Sequence, residues 1–573
     1  MLSIKDQKYL KNKFNDIYSV IKSSNELYVN EIIQLINNYN KKNKFKSNLK
    51  VTEKTTLVIS YGNSITDGNV KSLKAFNKFF KKYLDNSFNT IHFLPFYPSS
   101  SDSGFAVKDH YKIDPRLGSW SNINNISKNA SIMADLVINH SSARGLWFSN
   151  FLKNKSPGKD YFFTVDKKFN SSKVIRPREH KLLKKIKLFD KNRYLWRTFS
   201  PDQIDLNFQN PKVLMRFIKI ILNLISHGVK IFRLDAIAYL WKQNGTSCIN
   251  HQKTHNIIKL IRAICDLLKT KTIIITETNL PEKENLSYFG NNDESNWVYN
   301  FSLPPLLVYS LLFEDSSKIT KWSMSLPNTK KGNNYLNFIA SHDGIGMRPV
   351  EGILEKNKQK KLLKRLEANG SEFSYRKIHG KGKKVYEANI TLFNAFKKSD
   401  FDKNGKFYFE RYFAAHTIMM SFEGIPAIYF NSIFGNSNDN SKFIISGNKR
   451  DLNRYRWNKT KLENHLKDKN SKQYKFYKKM TLLIKIRKNQ KAFHPDAPRK
   501  TLNLGKNFFG IKRTSVDKKQ SIVCITNITS DKQTIVLNKD ILKGKNLLGE
   551  KIQVNGKNIE LLPFQTIWLK KIY

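Results

Sequence analysis

The chain has 573 residues, which is long enough for one large catalytic domain with one or two smaller ones. Hydrophobic residues make up 40% of it and 39 residues are Phe, so the chain is globular and can bury a core. No apolar run is long enough to span a bilayer, and the first thirty residues lack the apolar stretch of a secretory signal. We therefore expect a soluble, cytoplasmic protein with no membrane partner.

The net charge of +55 comes from 101 Lys and Arg against 46 Asp and Glu. Such an excess can indicate a polyanionic partner such as nucleic acid. Here the excess is mostly Lys, spread with Asn and Ile along the whole chain, and no nucleic-acid motif accompanies it. We predict a compositional bias and no nucleic-acid partner; nucleic-acid binding is an alternative that rests on charge alone.

Residues 1–50 carry apolar side chains at helical spacing and predict an N-terminal helical cap without chemistry of its own. Strands and helices then alternate over residues 51–490. The predicted strands are 56–61, 90–97, one within 130–140, 229–237, 272–279, 298–303, 336–343 and 425–430. Eight strands alternating with helices predict an α/β fold of the (β/α)8 TIM barrel type.

Two stretches interrupt this alternation and are predicted to be inserted subdomains, at about 145–205 and about 346–405. Beyond residue 490 the hydrophobic period changes from helical to strand-like. The strand-like runs are 508–512, 521–528, 533–537 and 566–569. Residues 491–573 are therefore predicted to form a small C-terminal antiparallel β domain.

The strand at 229–237 carries Arg233 and Asp235 two residues apart, and hence on one face. A buried strand can hold a guanidinium and a carboxylate if they are paired or functional, and a structural ion pair is the simpler of these alternatives. Two further strands favour function, because one ends near Glu277 and the other ends on Asp343. In a parallel barrel these strand ends converge on one mouth, where active sites lie.

Three carboxylates at one mouth suit retaining glycoside chemistry. One carboxylate can act as nucleophile and a second as acid/base, while a third can stabilise the oxocarbenium-like charge. The alternative of a purely structural ion pair becomes the weaker interpretation once the three strand ends are considered together.

Four stretches in chain order carry a family resemblance. With the elements placed as above, the sequence resembles the α-amylase superfamily, glycoside hydrolase family 13, over nearly the whole chain. The stretches are Asp135-Leu-Val-Ile-Asn139-His140, Phe232-Arg233-Leu-Asp235-Ala236, Thr276-Glu277 and His342-Asp343. The resemblance implies that Asp235 is the nucleophile, that Glu277 is the general acid/base, and that Asp343 binds sugar hydroxyls and stabilises the transition state.

The same resemblance implies roles for three more side chains. Arg233 would orient Asp235 and keep it ionised, and His140 and His342 would hold the glucosyl ring. The physical chemistry agrees, because an adjacent Arg favours a charged carboxyl group while a less solvated Glu stays protonated at neutral pH.

Within the superfamily the sequence is more similar to the sucrose phosphorylase group, through Ser101-Asp102-Ser-Gly104-Phe105, Asp343-Gly344-Ile345-Gly346 and Asn453-Arg454. This resemblance implies that Asp102 closes the far side of the glucosyl pocket and that Phe105 forms an apolar wall. Arg454 would be a ring-hydroxyl ligand opposite Asp102. Further matches are Phe199, Gln203 and Asp205 to an aromatic platform and acceptor wall, and Tyr386 with Glu387 to a loop that meets phosphate.

The resemblance implies a retaining phosphorylase that transfers glucose from sucrose or a related α-glucoside to inorganic phosphate, giving α-D-glucose 1-phosphate. Residues 175–178, 198–207 and 277–281 look more like the glucosylglycerate phosphorylase branch, and the pair Arg176 and Arg178 would suit the carboxylate of glycerate. Basic residues of the two insertions, namely Arg176, Arg178, Arg376 and Lys377, are candidates for an anion site.

The expected partners are therefore a small α-glucoside and phosphate, with phosphate as co-substrate, no other cofactor and no metal. The chain would be a monomer or homodimer. Two alternatives remain: a hydrolase or transglucosidase with the same site, and a non-catalytic binding protein on the same scaffold. The latter would be expected to have lost at least one of the three carboxylates, and none is missing.

Overall fold

The computed structural model describes residues 1–19, 22–43, 49–189, 191–378, 382–549 and 552–573. Residues 20–21, 44–48, 190, 379–381 and 550–551, which fall within the expected cap, insertions and C-terminal domain, lie outside the described residues. The centre is a closed barrel of eight parallel strands. In chain order they are β1 (Leu57–Ser60), β2 (Thr90–Phe93), β3 (Ser131–Val137), β4 (Val229–Asp235), β5 (Ile273–Thr276), β6 (Trp297–Tyr299), β7 (Asn334–Asn337) and β8 (Ile425–Tyr429).

Each barrel strand pairs with its neighbour in sequence, and β8 pairs with β1 to close the ring. The strands are buried on both faces, which explains their nearly continuous apolar sequences. In β4 the register places Arg233 beside Asp135 of β3 on one side and Ile275 of β5 on the other. The barrel predicted from the strand and helix alternation is confirmed.

Helices surround the barrel. The one before β4 begins as its sequence predicts, because the Asn210 side chain accepts a hydrogen bond from the Lys212 N–H and Pro211 occupies the first helical position. The longer helices are Ser72–Tyr83, Trp120–Ser127, Pro211–Ser226, Gln252–Leu267, Leu303–Phe313, Ser317–Ser325, Tyr408–Ser421, Lys459–Lys467 and Lys472–Lys488, preceded by Ile4–Ile17 and Lys22–Lys42. None of the helices in the described ranges combines the length and apolar character needed to cross a bilayer.

Three barrel strands are shorter than their apolar runs. β2 ends before Pro95, which has no N–H to donate to a ladder. β6 ends at Tyr299, and Leu303, expected within the strand, instead begins a helix that has Pro in its first turn. β7 ends at Asn337, so residues 338–343 form a loop although Phe338 and Ile339 are buried. An apolar run alone does not separate a strand from a buried loop.

The two interrupting stretches contain elements that do not belong to the barrel. The first contains helix Leu146–Leu152, a sheet of Thr164–Val165, Leu183–Leu188 and Lys191–Trp196, and the strand Gln203–Asp205, which pairs with His140–Ser142. The second contains helix Lys356–Ala368 and the hairpin formed by Glu372–Ile378 and Gly382–Asn389, which we call the hairpin below.

The C-terminal sheets are antiparallel, as the strand-like period predicts. A five-stranded sheet contains Arg499–Leu502, Phe508–Thr514, Gln520–Asn527, Thr566–Ile572 and Lys545–Asn546 in that order. A three-stranded sheet contains Gln533–Val536, Asn558–Leu561 and Gln553–Asn555. An apolar cluster that includes Ile525, Ile559 and Ile567 lies between the two sheets.

Candidate active site

A cavity lies at the carboxyl ends of the barrel strands. Its lining includes most of the side chains that the sequence singles out: Asp102, Phe105, His140, Phe199, Gln203, Arg233, Asp235, Glu277, His342, Asp343 and Tyr386. Arg454, the remaining candidate, lies immediately behind this lining. The chain therefore brings residues from eight separate segments of sequence to one place, as strand ends in a parallel barrel do.

Asp235 and Glu277 contact the same guanidinium. Asp235 is the last residue of β4, and its Oδ1 lies 2.6 Å from Nη1 of Arg233. Glu277 follows β5 directly, and its Oε2 lies 3.8 Å from Nη2 of Arg233 and accepts a hydrogen bond of 2.9 Å from the Ala236 N–H. Ala236 has a φ of +51°, a left-handed backbone conformation that residues other than Gly seldom adopt. This turn aims its N–H at the neighbouring carboxyl group.

Burial is the largest influence on both carboxyl groups. It raises the pKa of Asp235 well above its usual range, and although Arg233 lowers that pKa, the charges of Glu277 and Asp135 raise it further. Burial also raises the pKa of Glu277, again against the effect of Arg233. The charge of each carboxyl group therefore affects the titration of its neighbour. Arg233 favours the charged form of Asp235, as expected from the sequence, but burial favours the protonated form.

Two buried side chains fix Arg233 from below. Asp135 of β3 forms an ion pair with Arg233 and accepts from His92 Nε2 at 2.9 Å. Burial by itself would raise the pKa of Asp135, but Arg233 and His92 together hold it below its usual range. Asp135 thus remains a charged partner for Arg233, and it shares Nη1 of the guanidinium with Asp235.

Asp343 lies among arginines. Its Oδ1 is 2.8 Å from Arg450 Nη1 and 3.7 Å from Arg454 Nη2. Arg454 is almost fully buried, lies 3.7 Å from Asp102, and donates from Nε to the His342 carbonyl. Burial alone would raise the pKa of Asp343, but Arg450 and Arg454 hold it below its usual range.

Rings form the walls of the cavity. Phe105 stacks on His342, with ring centroids 5.1 Å apart and planes 6° from parallel. His140 packs at 5.3 Å against Phe199, and its Nε2 donates to the Phe105 carbonyl. Burial lowers the pKa of His140, and burial with nearby arginines lowers that of His342 well below its usual range, so the neutral form of both rings is favoured.

The outer part of the cavity is lined by Arg178, whose guanidinium lies over the rings of Phe199 at 5.8 Å and Tyr386 at 5.4 Å. Gln203 donates to Asp102 at 3.4 Å across the same region. Arg176, expected to act with Arg178, is not part of the lining. Arg376 forms an ion pair with Glu351, so it is a poor candidate for an anion site.

Asp205 does not lie in the acceptor wall, contrary to the resemblance. It is fully buried, forms an ion pair of 2.8 Å with Lys242, and accepts from the side chains of Asn139 and Thr198. Its strand pairs with His140–Ser142, so the carboxylate joins the first insertion to the barrel. The sequence gives no sign of the buried Lys242 that takes up this charge.

Sequence reasoning missed several residues of the lining, and Tyr239 and Arg450 are two of them. Tyr239 packs edge-on against Phe199 at 5.3 Å. Arg450 contacts Asp343 and Glu387, at 2.8 and 2.9 Å. The one available signal for Arg450 is its position four residues before Arg454, on a short 3-10 helix, Lys449–Asn453. Among the described residues no group of three or more His, Cys, Asp and Glu side chains is placed to hold a metal ion.

Comparisons with known proteins show the family of the chain. Residues 81–366 match the family model "Alpha amylase, catalytic domain". Glucosylglycerate phosphorylase of Escherichia coli (strain K12) is 34% identical over 521 residues, which cover 90% of this chain and 92% of that protein. Glucosylglycerate phosphorylase of Allomeiothermus silvanus is 36% identical over 520 residues, which cover 90% of this chain and 91% of that protein.

Among solved structures, sucrose 6F-phosphate phosphorylase from Thermoanaerobacter thermosaccharolyticum has the same fold, with a TM-score of 0.72 at 23% identity over 89% of this chain and 98% of that one. The fold, the strand-end carboxyl groups and the relatives lead to one assignment. The chain belongs to the α-amylase superfamily, glycoside hydrolase family 13, in its sucrose phosphorylase group and on the glucosylglycerate phosphorylase-like branch.

Proposed function

We propose that this chain is a retaining α-glucoside phosphorylase, with glucosylglycerate favoured over sucrose as its glucosyl donor, and that it makes α-D-glucose 1-phosphate from inorganic phosphate. One observation carries the proposal: two carboxyl groups, Asp235 and Glu277, contact one guanidinium in a cavity at the strand ends. A pair of carboxyl groups is what the covalent mechanism of a retaining enzyme needs, one as nucleophile and one as acid/base. Two of the relatives named above are glucosylglycerate phosphorylases, and each is similar to this chain over 90% of its length.

In the first step the glucosyl unit moves to the protein. The ion pair of Asp235 with Arg233, at 2.6 Å against 3.8 Å for Glu277, favours the charged form of Asp235 and supports a proton on Glu277. This effect acts against burial, which raises the pKa of both groups. A carboxylate oxygen of Asp235 bonds to the anomeric carbon as its bond to the leaving oxygen breaks. Glu277 gives its proton to that oxygen, and the acceptor leaves as an alcohol.

In the second step phosphate replaces the protein. A phosphate oxygen attacks the anomeric carbon, the ester bond to Asp235 breaks, and Glu277, now a carboxylate, takes the proton of the phosphate if it carries one. The two inversions leave the α configuration unchanged. Asp343, held charged by Arg450 and Arg454, faces the positive charge that develops on the ring in both steps.

The outer wall supports an anionic acceptor. Arg178 is held between two aromatic rings, and among the described residues no carboxylate lies within ion-pair distance of it. A guanidinium in that state offers two parallel N–H groups to a carboxylate, as in glycerate, or to phosphate. Of the two arginines that the sequence suggests, Arg178 is therefore the better candidate.

The rest of the proposal follows the sequence expectations. The protein would use phosphate as co-substrate and need neither a metal nor another cofactor, and it would act in the cytoplasm as a monomer or homodimer. A hydrolase or transglucosidase is the nearest rival, since it would use the same carboxyl groups and differ only in the second acceptor.

Product analysis tests the proposal. The purified protein is incubated with glucosylglycerate and, separately, with sucrose, each with and without phosphate, and glucose 1-phosphate is quantified against free glucose. We expect phosphate-dependent glucose 1-phosphate, with glucosylglycerate the better donor. Free glucose in equal yield without phosphate would instead identify a hydrolase.

The role of Arg178 is tested with Arg178→Gln, and Arg176→Gln is the matched control outside the cavity lining. The Arg178 variant should lose its preference for glycerate over fructose when glucose 1-phosphate is the donor, while the control should keep it. An unchanged preference in the Arg178 variant would assign the carboxylate to another group.

A further inference from the structure

Arg450 joins two carboxylates that belong to different parts of the fold. Its Nη1 lies 2.8 Å from Asp343, which follows β7, and its Nη2 lies 2.9 Å from Glu387, which lies in the hairpin. The side chain of Glu387 is only 3% exposed, and that of Arg450 is 16% exposed and lines the cavity. One planar guanidinium thus uses its two ends for two buried anions.

The backbone makes the same connection. The Gly344 N–H donates to the second carboxylate oxygen of Glu387 at 2.5 Å, and Ile345–Gly346 pairs with the hairpin at Ala388 and Glu387. A Cβ on Gly344 would lie 2.3 Å from the Ala388 carbonyl oxygen, so the two segments are in direct contact. The segment that carries Asp343 and the hairpin therefore move together or not at all.

Electrostatics explain why the arrangement needs a cation. Without Arg450, the buried carboxylate of Glu387 would have the Gly344 N–H as its remaining close partner and would lie near a second carboxylate. A buried carboxylate without a counter-ion is costly. Arg450 is the strongest of the charges that lower the pKa of Asp343. The titratable and charged groups around Asp343 include Arg450, Arg454, Arg233, Arg178, His342, Glu277, Tyr61 and Tyr429.

We propose that Arg450 is a positioning residue that keeps Asp343 charged and in place while it fixes the hairpin, whose Tyr386 forms part of the outer cavity wall. One guanidinium then sets both the glucosyl pocket and the wall that meets the acceptor. This inference rests on the proposed function, because it takes Asp343 to be the group that stabilises the transition state. Arg450 acts through Asp343 and Glu387, and no contact of its own with substrate is needed.

The test uses α-glucosyl fluoride, which carries no acceptor group, so fluoride release reports the glucosyl pocket alone. Arg450→Gln should lower kcat/KM for fluoride release by about ten- to a hundredfold, the size expected when a catalytic group is misplaced. Asp235 and Asp343 must both be charged to act, and Asp235, whose pKa burial raises, already titrates on the acid limb of the pH profile. Loss of Arg450 raises the pKa of Asp343 toward that of Asp235, so the acid limb should become steeper and extend to higher pH. Arg456→Gln, which removes an exposed arginine nearby, should change neither quantity.

Glu387→Gln separates the effect of Arg450 on Asp343 from its effect on the hairpin. It should leave the acid limb close to that of the parent, because Arg450 still contacts Asp343, but it should raise the KM of glycerate when glucose 1-phosphate is the donor. In the Arg450→Gln background, Glu387→Gln should add little, since its partner is already absent. Full additivity of the two variants would overturn the proposal.

Arg450→Lys keeps the test decisive if the Gln variant does not fold. A lysine ammonium is a single point charge and reaches one carboxylate, so activity should be recovered in part. An unchanged acid limb and unchanged kcat/KM in either Arg450 variant would also overturn the proposal. Fluoride is released whether water or phosphate takes the glucosyl unit, so failure here is distinguishable from failure of the phosphorylase assignment.

Discussion

Replacing Glu277 with Gln removes the proton that the leaving oxygen receives and changes little else. The amide is the same size as the carboxyl group, and its oxygen can still accept from the Ala236 N–H, which lies 2.9 Å from Glu277 Oε2. A positioned general acid contributes about 10²- to 10⁴-fold to the rate. At about 1.4 kcal/mol for each factor of ten, the activation barrier should rise by about 2.8–5.6 kcal/mol.

The leaving group decides how large this loss becomes. Glucosylglycerate needs a proton on its leaving oxygen, whereas fluoride leaves without one, so Glu277→Gln should lose far more kcat/KM with glucosylglycerate than with α-glucosyl fluoride. Asp235→Asn is the matched control, because no ester forms in it and both donors should fail alike. Equal losses for the two donors in Glu277→Gln would refute the acid role.

The pH dependence has a definite sign. A general acid works while it is protonated, and burial raises the pKa of Glu277, so activity toward glucosylglycerate should persist to higher pH than an exposed Glu would allow. The alkaline limb of kcat/KM measures this. Because the proton on Glu277 is not needed for fluoride, the same limb should be absent or much shallower with α-glucosyl fluoride in the presence of excess phosphate.

Two further substitutions test the supports of the site. Lys242→Met leaves the buried carboxylate of Asp205 without its 2.8 Å partner, so the free energy of unfolding in urea should fall by about 3–5 kcal/mol; unchanged stability would mean that Asn139 and Thr198 satisfy this carboxylate alone. Gly344→Ala places a Cβ 2.3 Å from the Ala388 carbonyl oxygen, so it should displace the hairpin and raise the KM of glycerate while the circular dichroism spectrum stays unchanged. A normal KM in this variant would show that the contact adjusts without cost.

Sequence patterns predicted that the candidate catalytic carboxyl groups lie together, because strand ends are fixed by topology. Asp235 ends β4 and Glu277 follows β5, so the convergence of parallel strands places them together once the barrel is recognised. Asp343 reached the same mouth by a different route, on a buried loop six residues beyond β7. The apolar sequence predicted that Asp343 lies at the barrel mouth, and it does. The prediction assumed a strand that reaches Asp343, whereas β7 ends at Asn337.

Residues that act through charge pairing were harder to predict. Arg450 belongs to a short 3-10 helix in a chain with 101 Lys and Arg, so nothing in its local pattern separates it from surface cations. The resemblance assigned Asp205 to an acceptor wall, yet its carboxylate forms an ion pair with Lys242, which lies 37 positions further along the chain. Neither residue lines the cavity. Partners that distant in sequence become visible only when the fold brings them together.

The central claim is that a glucosyl ester on Asp235 exists between departure of the acceptor and attack by phosphate. Exchange of isotopically labelled phosphate into α-D-glucose 1-phosphate, with no acceptor present, tests it most directly. The account predicts exchange in the parent protein, with retention of the α configuration, and none in Asp235→Asn. Exchange that begins only after glycerate is added would contradict the covalent intermediate and favour direct transfer between two bound substrates.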